Sequence, residues 1–240
     1  MIHQLVWRGS VLMSPRPRAP EMVLLLALLV HVSPVVGHAA DRAQQQMVDQ
    51  ARATLEAFTA DPKMKTVFHE LAPQAKALLI LPDYFRWGLV VGGASGTGVL
   101  MVREEHTGYW SQPAFYNVSS LNLGPQVGAN VSEIVVVIRS DQVVRDFYEA
   151  NFKLGGSAGL AAGSSGKGTS AHGIPAEVVA YARETGLFAG VAFGGALVTI
   201  GEHANGTYYG KPVSPRDIIE GRVKNPGTSA LREAARALLE

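Results

Sequence analysis

The chain has 240 residues, a formal net charge of +1, and 47% apolar against 17% charged residues. That composition excludes a disordered tail, and charge balance without a clustered basic excess excludes an ordinary nucleic-acid binder. Cysteine is absent, which excludes disulfides, a thiol nucleophile and lipid attachment through a cysteine.

In chain order, Arg16 and Arg18 precede an apolar run, Met22 to Val36, followed by Gly37-His38-Ala39-Ala40. A basic lead, a short apolar stretch and small residues at a cleavage point are the pattern of a secretory signal. The run contains His31 and Pro34 and falls short of the about 20 apolar residues a membrane-spanning helix needs. Residues 1–39 are therefore expected to be an export signal cleaved after Ala39, with residues 1–12 an over-long start ahead of Met13. Residues 40–240 are expected to form one domain in the periplasm or outside the cell, or peripheral to the membrane. Loss of Arg8, Arg16, Arg18 and Glu21 moves the charge balance from +1 to about −1.

Asp41 to Thr59 reads as a helix, capped by Asp41 with Gln44 three residues on, and with Val48, Ala51, Leu55 and Phe58 on one face. Asp61-Pro62 starts a second helix, which turns Met64, Val67, Phe68 and Leu71 inward and ends before Pro73. Ala75 to Pro82 is a short buried strand closed by a Pro-Asp turn. "WGLVVGG" and "GVLMVRE" flank "ASGT" and predict a hairpin. "YWSQPAFYNVSS" and "NVSEIVVVIRS" follow as β-branched or aromatic strands. Ser140 is expected to cap a helix running to about Phe152. Beyond a glycine-rich stretch come strands joined by turns at Thr185-Gly186 and Asn205-Gly206, a short helix from Ser214-Pro215, and a last helix from Thr228/Ser229. The fold class is α+β: a glycine-rich, strongly curved antiparallel sheet, barrel-like or sandwich, with helices at both ends and one inserted helix.

Three motifs come near catalytic patterns. Gly155 to Ser170, "GGSAGLAAGSSGKGTS", contains Gly166-Lys167, but Ala161 and Gly168 replace the first glycine and the Ser/Thr of a phosphate loop. Gly155-Gly156-Ser157-Ala158-Gly159 fits G-x-S-x-G, and Glu177 or Glu184 with His203 would complete a triad; the elbow, however, needs a strand before the serine and a helix after it. "GGASGTG", Gly92 to Gly98, is followed by a strand, so no helix N-terminus meets a pyrophosphate. His106, His172 and His203 are scattered, and no metal or cofactor is expected. Sequons occur at Asn117, Asn130 and Asn205. The expectation is a non-enzymatic protein; a serine hydrolase using Ser157 and His203, and an envelope scaffold or protein-interaction domain, stay open as alternatives.

Seven stretches, in order from Ala75 to Ile219, carry a resemblance: "AKALLILP", "GASGTGVLMVR", "GYWSQPAF", "GPQVGANVSEIVVVI", "FKLGGSAGLAAG", "ETGLFAGVAFGGALV" and "YYGKPVSPRDII". Together they resemble the SYLF domain family of lipid-binding proteins, which includes yeast actin-patch proteins, a mammalian phosphoinositide-binding protein and exported bacterial proteins. The chain departs from the family pattern at Ser157, at Ala162-Gly163-Ser164 and at Gly194. The resemblance implies association with anionic phospholipid at a cell envelope, and an envelope protein as a further possible partner; actin is not expected for an exported chain. It places the lipid contact in the N-terminal helices, at Lys63 and Lys65 with Lys76 and Arg86 beyond them, helped by apolar insertion of Phe58, Met64 or Phe68. The same three apolar residues also fit a core role.

Overall fold

A computed structural model describes residues 35–88, 91–123, 128–154, 160–162, 177–191 and 195–240. Helix α1 (Val35–Ala60) leads into α2 (Pro62–Leu71). Its inner face is Val48, Ala51, Leu55 and Phe58, all buried, as the 3.6-residue period predicts. Asp41 lies inside this helix and does not cap it, because the helix continues back to Val35. At the next corner Asp61 does cap: its carboxylate accepts the N–H groups of Lys63 and Met64, with Pro62 at the first helical position.

Among the described residues nine strands follow: β1 (Ala77–Gly88), β2 (Val91–Val102), β3 (Ala114–Leu123), β4 (Gly128–Ile138), β5 (Asn151–Leu154), β6 (Leu160–Ala162), β7 (Val178–Glu184), β8 (Leu187–Val191) and β9 (Ala196–Ile200). They form one sheet in the order β5-β9-β3-β2-β1-β4-β7-β6, with β8 also on β7. Every pairing is antiparallel except β6 with β7. The sheet is open, and among the described residues no ladder joins edge strands β5 and β6. Helix α3 (Asp141–Asp146) is the inserted one; α4 (Glu202–Tyr209), α5 (Pro215–Ile219) and α6 (Ser229–Leu239) close the chain. The class is α+β with helices at both ends, as expected.

Three expected turns are not turns. Pro82-Asp83 sits inside β1, where three residue steps from Ile80 to Asp83 oppose two steps from Val99 to Thr97. The extra residue makes a β-bulge, a place that accepts a proline lacking its N–H. "ASGT" is likewise mid-strand, in β2, which already starts at Val91 and pairs with β1 from Gly92 onward. There the strand needs glycine: a Cβ on Gly98 would lie 2.2 Å from the Ile80 carbonyl oxygen, across the ladder.

Asn205-Gly206 lies within α4. The fully buried Asn205 amide accepts the N–H of Phe115 (2.8 Å) and donates to its carbonyl (3.2 Å), standing in for a missing strand neighbour of β3. That sequon is thus unavailable to a glycosylating enzyme, whereas Asn117 and Asn130 are exposed. The inserted helix is shorter than predicted, ending at Asp146, and Phe152 belongs to β5. Ser140 stands at its N-cap position without a side-chain hydrogen bond.

Thr185-Gly186 is a turn, as predicted, and has φ of +46° and +80°. Both signs are those of a two-residue type I′ hairpin, in which a β-branched first residue is strained and Asn-Gly is preferred. Thr185→Asn is expected to raise the unfolding free energy by about 1 kcal/mol, read from urea denaturation.

The sheet carries a core on each face. Leu78, Ile80, Val99, Met101, Phe115, Val135, Val137, Val179 and Tyr181 pack under α1, α2 and α6. The opposite face, with Leu79, Leu100, Tyr116, Val136 and Val198, gathers Val143 and Phe147 from the α3 segment and Ile218 of α5.

Candidate functional site

The residues named for lipid contact do not form one surface. Phe58 and Phe68 are fully buried and Met64 nearly so. Phe58 meets Phe68 edge-on at 5.8 Å and Phe188 at 4.9 Å, and Phe68 leans on Tyr181 at 5.5 Å. They anchor the helical layer to the sheet, so exposing them to lipid would require that layer to lift. Lys63 and Lys65 flank Met64 and are exposed, with no ion pair among the described residues. Lys76 binds Asp141 at 2.7 Å. Arg86 forms an ion pair with Glu184 and donates to Ser132 (3.1 Å); Glu184 also accepts from Ser132 (2.6 Å) and Asn130 (2.8 Å). Its charge is therefore neutralised within the sheet, on the face opposite that of its neighbours Phe85 and Trp87.

Those two neighbours were missed by sequence reasoning. In an antiparallel ladder, directly paired residues share a face. Phe85 pairs with Val131 of β4 and Ser95 of β2; Trp87 pairs with Ala129 and Gly93. One strand further on, Gly93 pairs with Leu121 and Ser95 with Ser119, and Ser119 in turn pairs with Leu197 of β9. Phe85, Trp87, Val131, Leu121 and Leu197 thus lie on one face, all of them exposed, from 40% to 87%. The Phe85 and Trp87 rings stack at 5.6 Å.

This is the same face that the helices cover at its other end. Along β4 the sequence Val137, Val135, Glu133, Val131 stays on one side, buried at first and exposed at last. Along β1 the bulge shifts the alternation from Leu78 and Ile80 to Phe85 and Trp87, keeping the apolar residues on that side. The cover ends at a row set by Phe58 on Phe188, Phe188 beside Arg183, and the Arg183–Glu133 ion pair. Beyond that row no helix among the described residues covers the sheet. Lys153, across the β5–β9 ladder from Leu197, is exposed on the same side, as is Asp83.

The serine-nucleophile arrangement is incomplete. Ser157 and the Gly166-Lys167 pair lie outside the described residues. The chain on either side of Ser157 is strand, β5 before and β6 after, so the helix that the elbow needs is lacking. His203 is exposed in the first turn of α4, and Glu184 is engaged by Arg86. Among the described residues no group of three or more His, Asp or Glu side chains is placed to hold a metal, and no helix is long and apolar enough to cross a membrane.

Fold and surface together define an α+β domain built on an open glycine-punctuated sheet, half of one face roofed by helices and the other half bare and apolar. A family profile described as "Ysc84: Las17-binding protein actin regulator" matches residues 119–238, half of the chain. The chain belongs to this Ysc84, or SYLF, family. It is similar to Protein YSC84 of Saccharomyces cerevisiae, 32% identical over 159 residues, 64% of this chain and 34% of the relative. It is also similar to LAS seventeen-binding protein 3 of the same yeast, 30% over 164 residues (65% and 35%), and to the human SH3 domain-containing YSC84-like protein 1, 31% over 157 residues (64% and 45%). The chain thus spans less than half the length of these curated relatives. One of the three is named as a binding protein and one by its SH3 domain, and none carries an enzyme's name. No solved structure matches the chain.

Proposed function

We propose that this is a non-enzymatic, exported lipid-binding protein of a bacterial cell envelope, and that it meets anionic phospholipid with the bare half of its sheet. The observation that carries this is the exposed row of Phe85, Trp87, Val131, Leu121 and Leu197. A large exposed apolar patch on a folded domain marks a binding surface. Magnitudes favour this face over the helices. Phe58, Met64 and Phe68 already gain their burial energy in the core, so moving them into lipid trades one apolar environment for another. Five half-exposed side chains, by contrast, each stand to gain about 1 kcal/mol on entering the acyl boundary. Lys153, exposed across the ladder from Leu197, adds about 1 kcal/mol near an anionic surface and supports the headgroup preference. Export is supported by the pattern of residues 16–40.

Trp87 makes the proposal measurable. Trp110 is buried, so Trp87 is the exposed tryptophan of the described residues. Anionic vesicles are expected to float the protein and shift its emission to the blue, with weaker binding to zwitterionic vesicles. Phe85→Ser/Trp87→Ser is expected to lose at least tenfold in partition coefficient while unfolding at the same urea concentration. Equal flotation of variant and parent, or none with any lipid, removes the reading.

The family description favours a second reading, a protein partner on the same face. A stoichiometric envelope protein that competes with vesicles, and that Phe85→Ser/Trp87→Ser releases, is the result that would favour it.

A further inference from the structure

A separate cleft of about 640 Å³ opens between the β2–β3 connection, the end of α5 and helix α6. It lies within the range of small-molecule sites. Trp110, 4% exposed, and Ile219 give it an apolar wall. Its floor is fixed by Gln112, 8% exposed, whose Oε1 accepts the Asn225 N–H (3.1 Å) and the Thr228 hydroxyl (3.0 Å). Those two bonds orient the amide and leave its Nε2 hydrogens with no protein acceptor among the described residues.

Two cations line the same cleft. Arg232 is half-buried, has no carboxylate partner among the described residues, and its Nε is buried without a hydrogen bond. Lys224 is likewise unpaired among the described residues. The carboxylates on the wall are occupied elsewhere. Glu220 is bound by Arg222 (2.5 Å) and Arg216 (3.4 Å), and Glu104 accepts the Thr107 hydroxyl (2.6 Å). A half-buried guanidinium left without an anion is costly, and native proteins rarely leave buried polar groups unmet.

We propose that this cleft binds a phosphomonoester, with the phosphate between Arg232 and Lys224, a hydrogen bond from the Gln112 amide, and the ester's organic part against Trp110. A phosphate dianion offers three terminal oxygens to two cations and an amide, and its geometry matches the guanidinium fork. The same chemistry occurs in a free metabolite and in a lipid headgroup. The site is distinct from the bare sheet face and stands or falls without it.

The test uses the full chain carrying Trp7→Phe and Trp87→Phe, so that Trp110 alone reports. Inorganic phosphate, sn-glycerol 3-phosphate and monomeric dihexanoyl phosphatidic acid are titrated at low salt, with calorimetry alongside. Saturable quenching is expected. Arg232→Gln and Lys224→Gln are each expected to weaken it at least tenfold without changing the melting temperature of the free protein. Response to the soluble phosphates assigns a free ligand; response to the short-chain lipid alone assigns a headgroup. No saturable response to any of the three, or an unchanged response in Arg232→Gln, overturns the proposal. The Arg232→Gln/Lys224→Gln variant should still float with vesicles, and Phe85→Ser/Trp87→Ser should still bind phosphate, so the two surfaces are judged separately.

Discussion

Replacing Gly98 by alanine is expected to remove about 3 kcal/mol or more of unfolding free energy, near or beyond the upper end of ordinary overpacking. The added Cβ would stand 2.2 Å from the Ile80 carbonyl oxygen and 2.6 Å from Leu81 Cδ2. A flexible side chain could move aside, but the oxygen is backbone. It belongs to β1 beside the bulge, and β1 is gripped on both sides, by β2 and by β4. Relief therefore requires a shift of the central ladder, and the register beyond the bulge, which carries Phe85 and Trp87, shifts with it. Gly206→Ala is the control with the opposite sign. Gly206 lies in α4, where the nearest atom to an added Cβ is the Lys211 carbonyl oxygen at 3.8 Å. Alanine there is expected to stabilise by up to about 1 kcal/mol through helix propensity. Urea denaturation of the two variants decides the matter; a Gly98→Ala protein as stable as the parent would show that the close approach is not real.

Phe58→Ala is expected to cost about 3–5 kcal/mol, the range for emptying a buried aromatic site. Its ring is fully buried between Phe68 and Phe188, so its loss loosens α1, α2 and the β7–β8 hairpin together. Phe85→Ala, with a ring 44% exposed and stacked only on Trp87, is expected to cost less than about 1 kcal/mol. The pair separates structure from function. Vesicle flotation under native conditions should survive Phe58→Ala, if the protein remains folded, and fall with Phe85→Ala. The reverse pattern would return the lipid contact to the N-terminal helices.

Several features were legible because they are local. The inner face of α1 follows from a 3.6-residue period, the start of α2 from Asp61-Pro62, and the hairpin at Thr185-Gly186 from its turn pair. The order of the glycine-rich blocks carried the family. Where local signals misled, a distant partner had overruled them. Pro82-Asp83 looked like a turn, but pairing with β2 and β4 on both sides holds it as a bulge. Asn205-Gly206 has strong turn character, yet the bonds of Asn205 to Phe115, ninety positions away in sequence, hold it inside a helix. Arg86 looked like a free cation because Glu184 is remote in sequence and near only across the β1–β4–β7 ladders.

By itself the sequence determined the α+β class, the apolar faces of the N-terminal helices and the family, since each depends on neighbours within a few residues or on the order of blocks. It could not decide how far the helical layer reaches across the sheet. That extent is set by α1, α2 and α6 packing on strands far away in the chain, and it alone turns Val135 into core and Val131 into surface. Which aromatic residues face solvent, and which cations are left unpaired, were decided by register and layer overlap, quantities that exist only once the chain has folded.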